Sequence, residues 1–148
     1  MTKVRITKEF VFDAAHVLPN YDGKCQNLHG HTYKLLVTLI GSPCEDVVSP
    51  KCGMVLDFSV LKSAIKEPVV DALDHALIVP NTIDFSCIKQ FQQEGKYISV
   101  PFQPTCENLT IYIANQIRER LPEEVKLYSV RLYETPTSYA EWFADDNK

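Results

Sequence analysis

Apolar and polar residues alternate from the first positions of the chain. Val4, Ile6, Phe10 and Phe12 are apolar, and Arg5, Thr7 and Glu9 between them are polar. A period of two predicts a half-buried strand, and it runs to His16, which shares the parity of the apolar face. Pro19, Asn20, Asp22 and Gly23 mark a loop. Alternation then resumes with His31, Tyr33, Leu35, Val37 and Leu39 against Thr32, Lys34 and Thr38, up to Gly41. Two such strands flanking one loop predict a long hairpin.

Ser42 to Lys51 reads as a turn-rich link, and Gly53 to Phe58 as a short strand that runs into a helix near Ser59, with Leu61 and Ile65 as its apolar stripe. Pro68 kinks or ends that helix, because proline lacks an amide donor and clashes with the preceding turn. Leu73-Asp74-His75 therefore falls near an element boundary. From Asn81 to Gln103 the pattern is ambiguous: Tyr97, Ile98 and Val100 fit a short strand, and Ile83 to Gln93 has no clean period. A second helix is clearer, with Thr105 placed to cap it, Leu109, Tyr112, Ile113 and Ile117 spaced three or four apart, and Pro122 to stop it. The last predicted strand spans Val125 to Glu134, with Tyr128, Val130, Leu132 and Glu134 on one face. This order predicts one α+β domain over residues 1–148, an antiparallel sheet with two helices on one face.

Composition narrows the function. The 148 residues are 45% hydrophobic and 23% charged, as in an ordinary globular domain, and no apolar run nears the roughly 18 residues of a membrane span. The N-terminus lacks the apolar core and small-residue cleavage site of a secretory signal, so a cytoplasmic location is expected. Fifteen basic residues against 19 acidic ones give a net charge of -4, with no basic cluster of the kind that nucleic-acid binding needs. Five cysteines, without a Cys-x-x-Cys pair, fit neither a disulfide framework nor a cysteine-rich zinc module.

Candidate chemistry centres on histidine. His29-Gly30-His31 sets two imidazoles on the same side of an extended strand, roughly 7 Å apart along it, within reach of one metal ion. His16, on the neighbouring strand with inward parity, supplies a third nitrogen if the hairpin pairs. Three nitrogen ligands with an open fourth position describe a catalytic zinc; the plainer reading is that some of these histidines satisfy hydrogen bonds in a core. Cys25, four residues before His29, is either a fourth ligand or a free thiol beside the metal, and spacing alone does not choose. Asp74-His75 reads equally as a functional pair or as ordinary capping at a helix end. Glu134, on an inward-facing strand position, needs a donor-rich partner, either an arginine or the amino-pyrimidine edge of a ligand.

Taken together, Phe12-Asp13-Ala14-Ala15-His16, Cys25-x-x-x-His29-Gly30-His31, Leu73-Asp74-His75, Pro104-Thr105-Cys106-Glu107-Asn108 and Glu134-Thr135 resemble the signature set of the 6-pyruvoyltetrahydropterin synthase superfamily over nearly the whole chain. The three-residue gap between Cys25 and His29 resembles the bacterial 6-carboxytetrahydropterin synthases of the queuosine pathway. The animal pyruvoyl enzymes have a longer gap. The resemblance implies the tunnelling fold, in which subunits assemble into a barrel, usually as a homohexameric dimer of trimers, with active sites between subunits.

It also implies roles. His16, His29 and His31 match the zinc ligands, the open metal position taking the hydroxyls of the substrate side chain. Cys25 matches the proton-abstracting base and Asp74 with His75 the relay on the opposite side. Glu134 matches the acid that grips the pterin ring, with Thr105 and Glu107 assisting substrate binding from the subunit boundary. The implied substrate is 7,8-dihydroneopterin triphosphate, converted to 6-carboxytetrahydropterin, acetaldehyde and triphosphate. Two rivals stand: a pyruvoyl synthase that eliminates triphosphate without cutting the side chain, and a non-catalytic zinc or pterin module in which Cys25 completes a closed site. Cys106, where the family usually has Ala or Ser, and the long Asn81–Gln103 insertion depart from the pattern.

Overall fold

The structure is a computed structural model, and it describes residues 1–84 and 96–148. Strands β1 (Val4–His16) and β2 (His29–Gly41) form the predicted hairpin. They pair antiparallel without a break over 13 positions, from Val4 opposite Gly41 to His16 opposite His29. Alternation decides which side is buried: Phe10, Phe12, Ala14 and His16 on β1 and Tyr33, Leu35, Val37 and Leu39 on β2 all turn inward.

Helix α1 (Phe58–Ile65) follows, capped by Asp57, whose carboxylate accepts from the Ser59 amide. Its predicted stripe, Leu61 and Ile65, is fully buried. Regular α-helical winding ends at Ile65, ahead of Pro68. The helix then widens into a π-helical turn over Lys66–Asp71, in which the missing proline amide and the bulk of its ring are accommodated by looser winding. The backbone then leaves through Asp74 and His75 into β3 (Ala76–Pro80), which is buried along its whole length.

Strand β4 (Tyr97–Val100) appears where Tyr97, Ile98 and Val100 suggest it. Helix α2 (Cys106–Arg118) is capped by Thr105, whose hydroxyl accepts from the Asn108 amide, and it buries Leu109, Ile113 and Ile117. Strands β5 (Lys126–Thr135) and β6 (Ser138–Phe143) complete the fold. The six strands form one sheet in the order β4-β3-β1-β2-β5-β6. Both helices bury their stripes in a single core with Phe12, Leu35, Val37, Val130 and Leu132 on the inward face of the sheet. No helix of the described residues is long and apolar enough to cross a membrane.

The structure corrects the sequence reading in four places. The expected antiparallel sheet is mixed, because β3 runs parallel to both β1 and β4. Gly53 to Phe58 forms no strand. Gly53 takes a positive φ of 79°, the region glycine enters without penalty, and its amide donates to the Cys44 carbonyl at 2.8 Å while the Cys44 amide donates to Met54 at 2.9 Å. Leu127, not Tyr128, faces the core, because the β2–β5 ladder shifts register at Thr38/Leu39 and a bulge flips the parity that follows it. Strands β3 and β6 are additions to the predicted elements, although in β6 Ala140 and Trp142 alternate with Tyr139 and Glu141. The stretch from Ile83 to Gln93, in which no period is found, lies largely outside the described residues.

Ile113 has no exposed surface and sits between α2 and the sheet. Ile113→Ala is expected to lower stability by about 3 kcal/mol, the usual cost of deleting a buried isoleucine side chain, read from the denaturant midpoint at unchanged slope.

Candidate metal centre

The site is built by the end of the hairpin. Because Gly41 pairs with Val4, twelve regular steps bring His29 opposite His16, with His31 opposite Ala14. His16, His29 and His31 therefore share the inward face, as their parity predicts. Gly30, between the two histidines of β2, lies against β1: a Cβ there would come within 3.1 Å of the Ala14 carbonyl oxygen. Glu134 arrives from β5, two positions beyond the inward-facing Leu132. Four donor atoms, one each from His16, His29, His31 and Glu134, lie within 4.8 Å of one another.

The hydrogen bonds fix which nitrogens carry protons. His16 Nδ1 lies 2.7 Å from the Pro104 carbonyl oxygen, and His29 Nδ1 lies 2.6 Å from the Asn27 carbonyl oxygen. A carbonyl only accepts, so both Nδ1 atoms donate, and in the neutral rings both Nε2 atoms present bare lone pairs. Those two atoms face each other at 3.0 Å. Two lone pairs at that distance repel unless a cation stands beside them. A proton on one ring would serve, but His16 is wholly buried, and burial pushes its imidazole toward the neutral form against the pull of Glu134.

His31 adds to the argument. Its Nε2 is buried and has no hydrogen-bond partner, although Glu134 Oε1 is 2.9 Å away. The contact is close without the alignment of a hydrogen bond. Burial also lowers the His31 pKa, with Glu134 opposing. Bare imidazole nitrogens, a neighbouring carboxylate, and Nδ1–H groups held by backbone carbonyls are the donor set and outer support of a divalent metal site. The residues fit such an ion.

The other predicted residues fall around this group in different ways. Cys25 is half-buried on a short helical turn, Lys24–Gln26, in the β1–β2 connection. It is not among the four converging residues. The buried Tyr33 hydroxyl lies 3.4 Å from His16 Nδ1, and burial first, then Glu134, pushes its pKa up. Thr105 spends its hydroxyl on the α2 cap, and Glu107 stands exposed in the first turn of that helix. Cys106 is a buried packing residue whose thiol donates to the Leu132 carbonyl at 3.3 Å. Burial raises its pKa to about 11.

Asp74 and His75 form a cluster of their own. Asp74 Oδ2 is 3.0 Å from His75 Nδ1, and Asp74 Oδ1 accepts from the Asp13 amide at 2.9 Å. That amide bond is the main reason the Asp74 carboxyl titrates below its ordinary range. His75 is 73% exposed at its side chain and lines a cavity of about 390 Å³ with Asp13, Ala15, Gly30, Thr32 and His31 of the metal group. The supporting carbonyls of Asn27 and Pro104 have no signal in the sequence, since a backbone oxygen belongs to every residue.

The profile of the family described as 6-pyruvoyl tetrahydropterin synthase matches residues 5–145. A Haemophilus influenzae protein named 6-carboxy-5,6,7,8-tetrahydropterin synthase is 44% identical over 141 residues, covering 93% of this chain and 97% of that one. A Synechocystis protein of the same name is 34% identical, covering 94% and 92%. Among solved structures, an uncharacterised Wolinella succinogenes protein superposes with a TM-score of 0.77 at 25% identity, covering 97% of this chain and 99% of that one. The Caenorhabditis elegans 6-pyruvoyl tetrahydropterin synthase superposes with a TM-score of 0.69 at 28% identity, covering 97% of both proteins.

Folding lowers the His16 pKa from its ordinary 6.5, so the unfolded protein binds this proton more readily than the folded one. The stability that goes with a neutral His16 is present above pH 6.5 and is lost as pH falls through the folded value. The thermal midpoint of metal-free protein is therefore expected to drop as the pH is taken below about 6.5. Zinc added at neutral pH should raise that midpoint, and His16→Ala, His29→Ala and His31→Ala should each lower the bound metal found by elemental analysis.

Proposed function

The chain belongs to the 6-pyruvoyl tetrahydropterin synthase family, and on that premise we propose that it is a zinc-dependent 6-carboxy-5,6,7,8-tetrahydropterin synthase of queuosine biosynthesis. The observation that carries this reading is the convergence of His16, His29, His31 and Glu134 in a protein 44% identical to a relative of that name. The substrate is 7,8-dihydroneopterin triphosphate. The products are 6-carboxytetrahydropterin, acetaldehyde and triphosphate, and cleavage of a carbon–carbon bond in the pterin substituent makes the enzyme a lyase.

His16, His29 and His31 hold the zinc ion, with Pro104 and Asn27 fixing the first two rings through Nδ1. When bound, zinc supplies Lewis acidity that makes the C–H protons of the substrate side chain easier to remove. Cys25, outside the donor group and on the connection between the two strands that carry the histidines, acts as the base that takes one of those protons. Glu134 binds the amino-pyrimidine edge of the pterin, which offers paired N–H donors to a carboxylate. Among the described residues its ion-pair partners are His16 and His31 alone, so no lysine or arginine competes for it. Asp74 accepts from His75 Nδ1 and leaves Nε2 free to exchange a proton. Thr105 acts on the substrate only indirectly, by ordering the start of α2, and Glu107 reaches it from the subunit boundary.

We place the complete reaction centre between subunits of a homo-oligomer, for which a dimer of trimers closing into a barrel is the proposed form. The proposed location is the cytoplasm.

Incubation of the zinc-loaded protein with dihydroneopterin triphosphate should give a carboxypterin by mass analysis together with acetaldehyde. A pyruvoyl product without acetaldehyde would instead assign triphosphate elimination alone. Cys25→Ala is expected to keep its zinc while turnover falls at least about 100-fold, the scale of a lost general base. Loss of zinc in that variant would make Cys25 a ligand of a closed structural site.

A further inference from the structure

The corner that carries Asp74 and His75 is held by a residue that no signature motif includes. The helical run through Lys66–Asp71 ends near Leu73, and the last carbonyls of any helix lack intrahelical partners. Here the Lys96 ammonium takes two of them, donating to the Asp71 carbonyl at 3.1 Å and to the Asp74 carbonyl at 2.7 Å. The Lys96 carbonyl in turn accepts from the Leu77 amide at 2.8 Å. Lys96 thus grips the backbone on both sides of His75, with its ammonium before that residue and with its own carbonyl after it.

What it holds is a strained turn. His75 has a φ of 58°, a left-handed conformation that costs a non-glycine residue free energy and persists only when its surroundings enforce it. The other restraints on the turn come from β1: the His75 amide donates to the Asp13 carbonyl at 2.6 Å, and Asp74 Oδ1 accepts from the Asp13 amide. Both lie on one side of the turn, and Lys96 at the head of β4 secures the other. A cation at a helix C-terminus also meets the favourable end of the dipole. Lys66 is engaged elsewhere, on the Asp71 carboxylate at 2.8 Å.

We propose that Lys96 is a positioning residue, which fixes the backbone of Asp74 and His75 so that Asp74 stays against Nδ1 and the imidazole is presented at a set angle. This rests on the reading above that His75 exchanges a proton with substrate. The Lys96 ammonium donates to backbone carbonyls, and Lys96 is not one of the four residues of the metal group.

The test compares Lys96→Met, which keeps the stem and removes the donors, with Lys96→Arg, which keeps donors. Lys96→Met should retain its full zinc content, lose about ten-fold in kcat with KM within about two-fold, as expected when an acid–base group is misplaced rather than removed, and shift the His75 ring resonances in NMR spectra. Lys96→Arg should restore most of the kcat and the native His75 shifts. If Lys96→Met does not fold, Lys96→Gln, with a shorter donor, takes its place. Unmoved His75 resonances, or a kcat loss no larger than the loss of folded protein, would overturn the proposal. His75→Gln separates the two readings: full kcat in that variant removes the proton-exchange role of His75, while the NMR comparison still decides whether Lys96 positions the ring.

Discussion

The continuous register between β1 and β2 is the constraint on which the rest depends. Thirteen consecutive pairs run from the open end of the hairpin to His16 opposite His29. A slip of β2 by one residue would turn its inward side chains outward, sending Tyr33 and Leu35 into water together with His29 and His31. The register is thus enforced by the core. Burial of Leu35, Val37 and Leu39, none of which retains exposed surface, holds the strands in place several residues away, and the histidines receive their alignment from that packing. Metal-site geometry and hydrophobic free energy are the same constraint read at two ends of one hairpin.

Packing alone would leave the site electrostatically unfavourable. Two imidazole nitrogens face each other at 3.0 Å, and a third is buried without a hydrogen bond. The protein builds this arrangement with backbone groups: the carbonyls of Asn27 and Pro104 choose the tautomers of His29 and His16. These oxygens come from the β1–β2 loop and from the residue before the α2 cap. The cap at Thr105 therefore matters to the site because it sets where Pro104 ends. A cation relieves the arrangement, and its ligands are aligned before it arrives.

Much of this is legible in the sequence where one element decides the outcome. The parity of His16, His29 and His31 follows from alternation, and the caps, stripes and ends of α2 from residue type. What is not legible depends on contacts between distant segments. Nothing near Leu127 or Tyr128 announces the bulge against Thr38, because its cause lies in the partner strand. Strand β3 is buried along its whole length and so has no alternation to announce it, and its parallel pairing with β1 follows from the path of the backbone through α1 and the π-helical turn. Glu134 is placed on the inward face by parity, but its approach to His31 requires the order β1-β2-β5 across the sheet. Lys96 carries no signal, since its role is to reach two carbonyls far earlier in the sequence.

One strand, β1, serves both clusters. His16 points inward to the histidine group, while the Asp13 backbone, three residues earlier, hydrogen-bonds to Asp74 and His75 on the side of β1 that pairs with β3. Side chains of a strand point to its two faces in turn, whereas its amides and carbonyls lie in the plane of the sheet. The strand therefore orients one group through a side chain and the other through its backbone. Its neighbour β2 brings His31 to the opening that His75 also lines, and the exposed imidazole of His75 and the half-buried carboxylate of Glu134 are left open to a ligand.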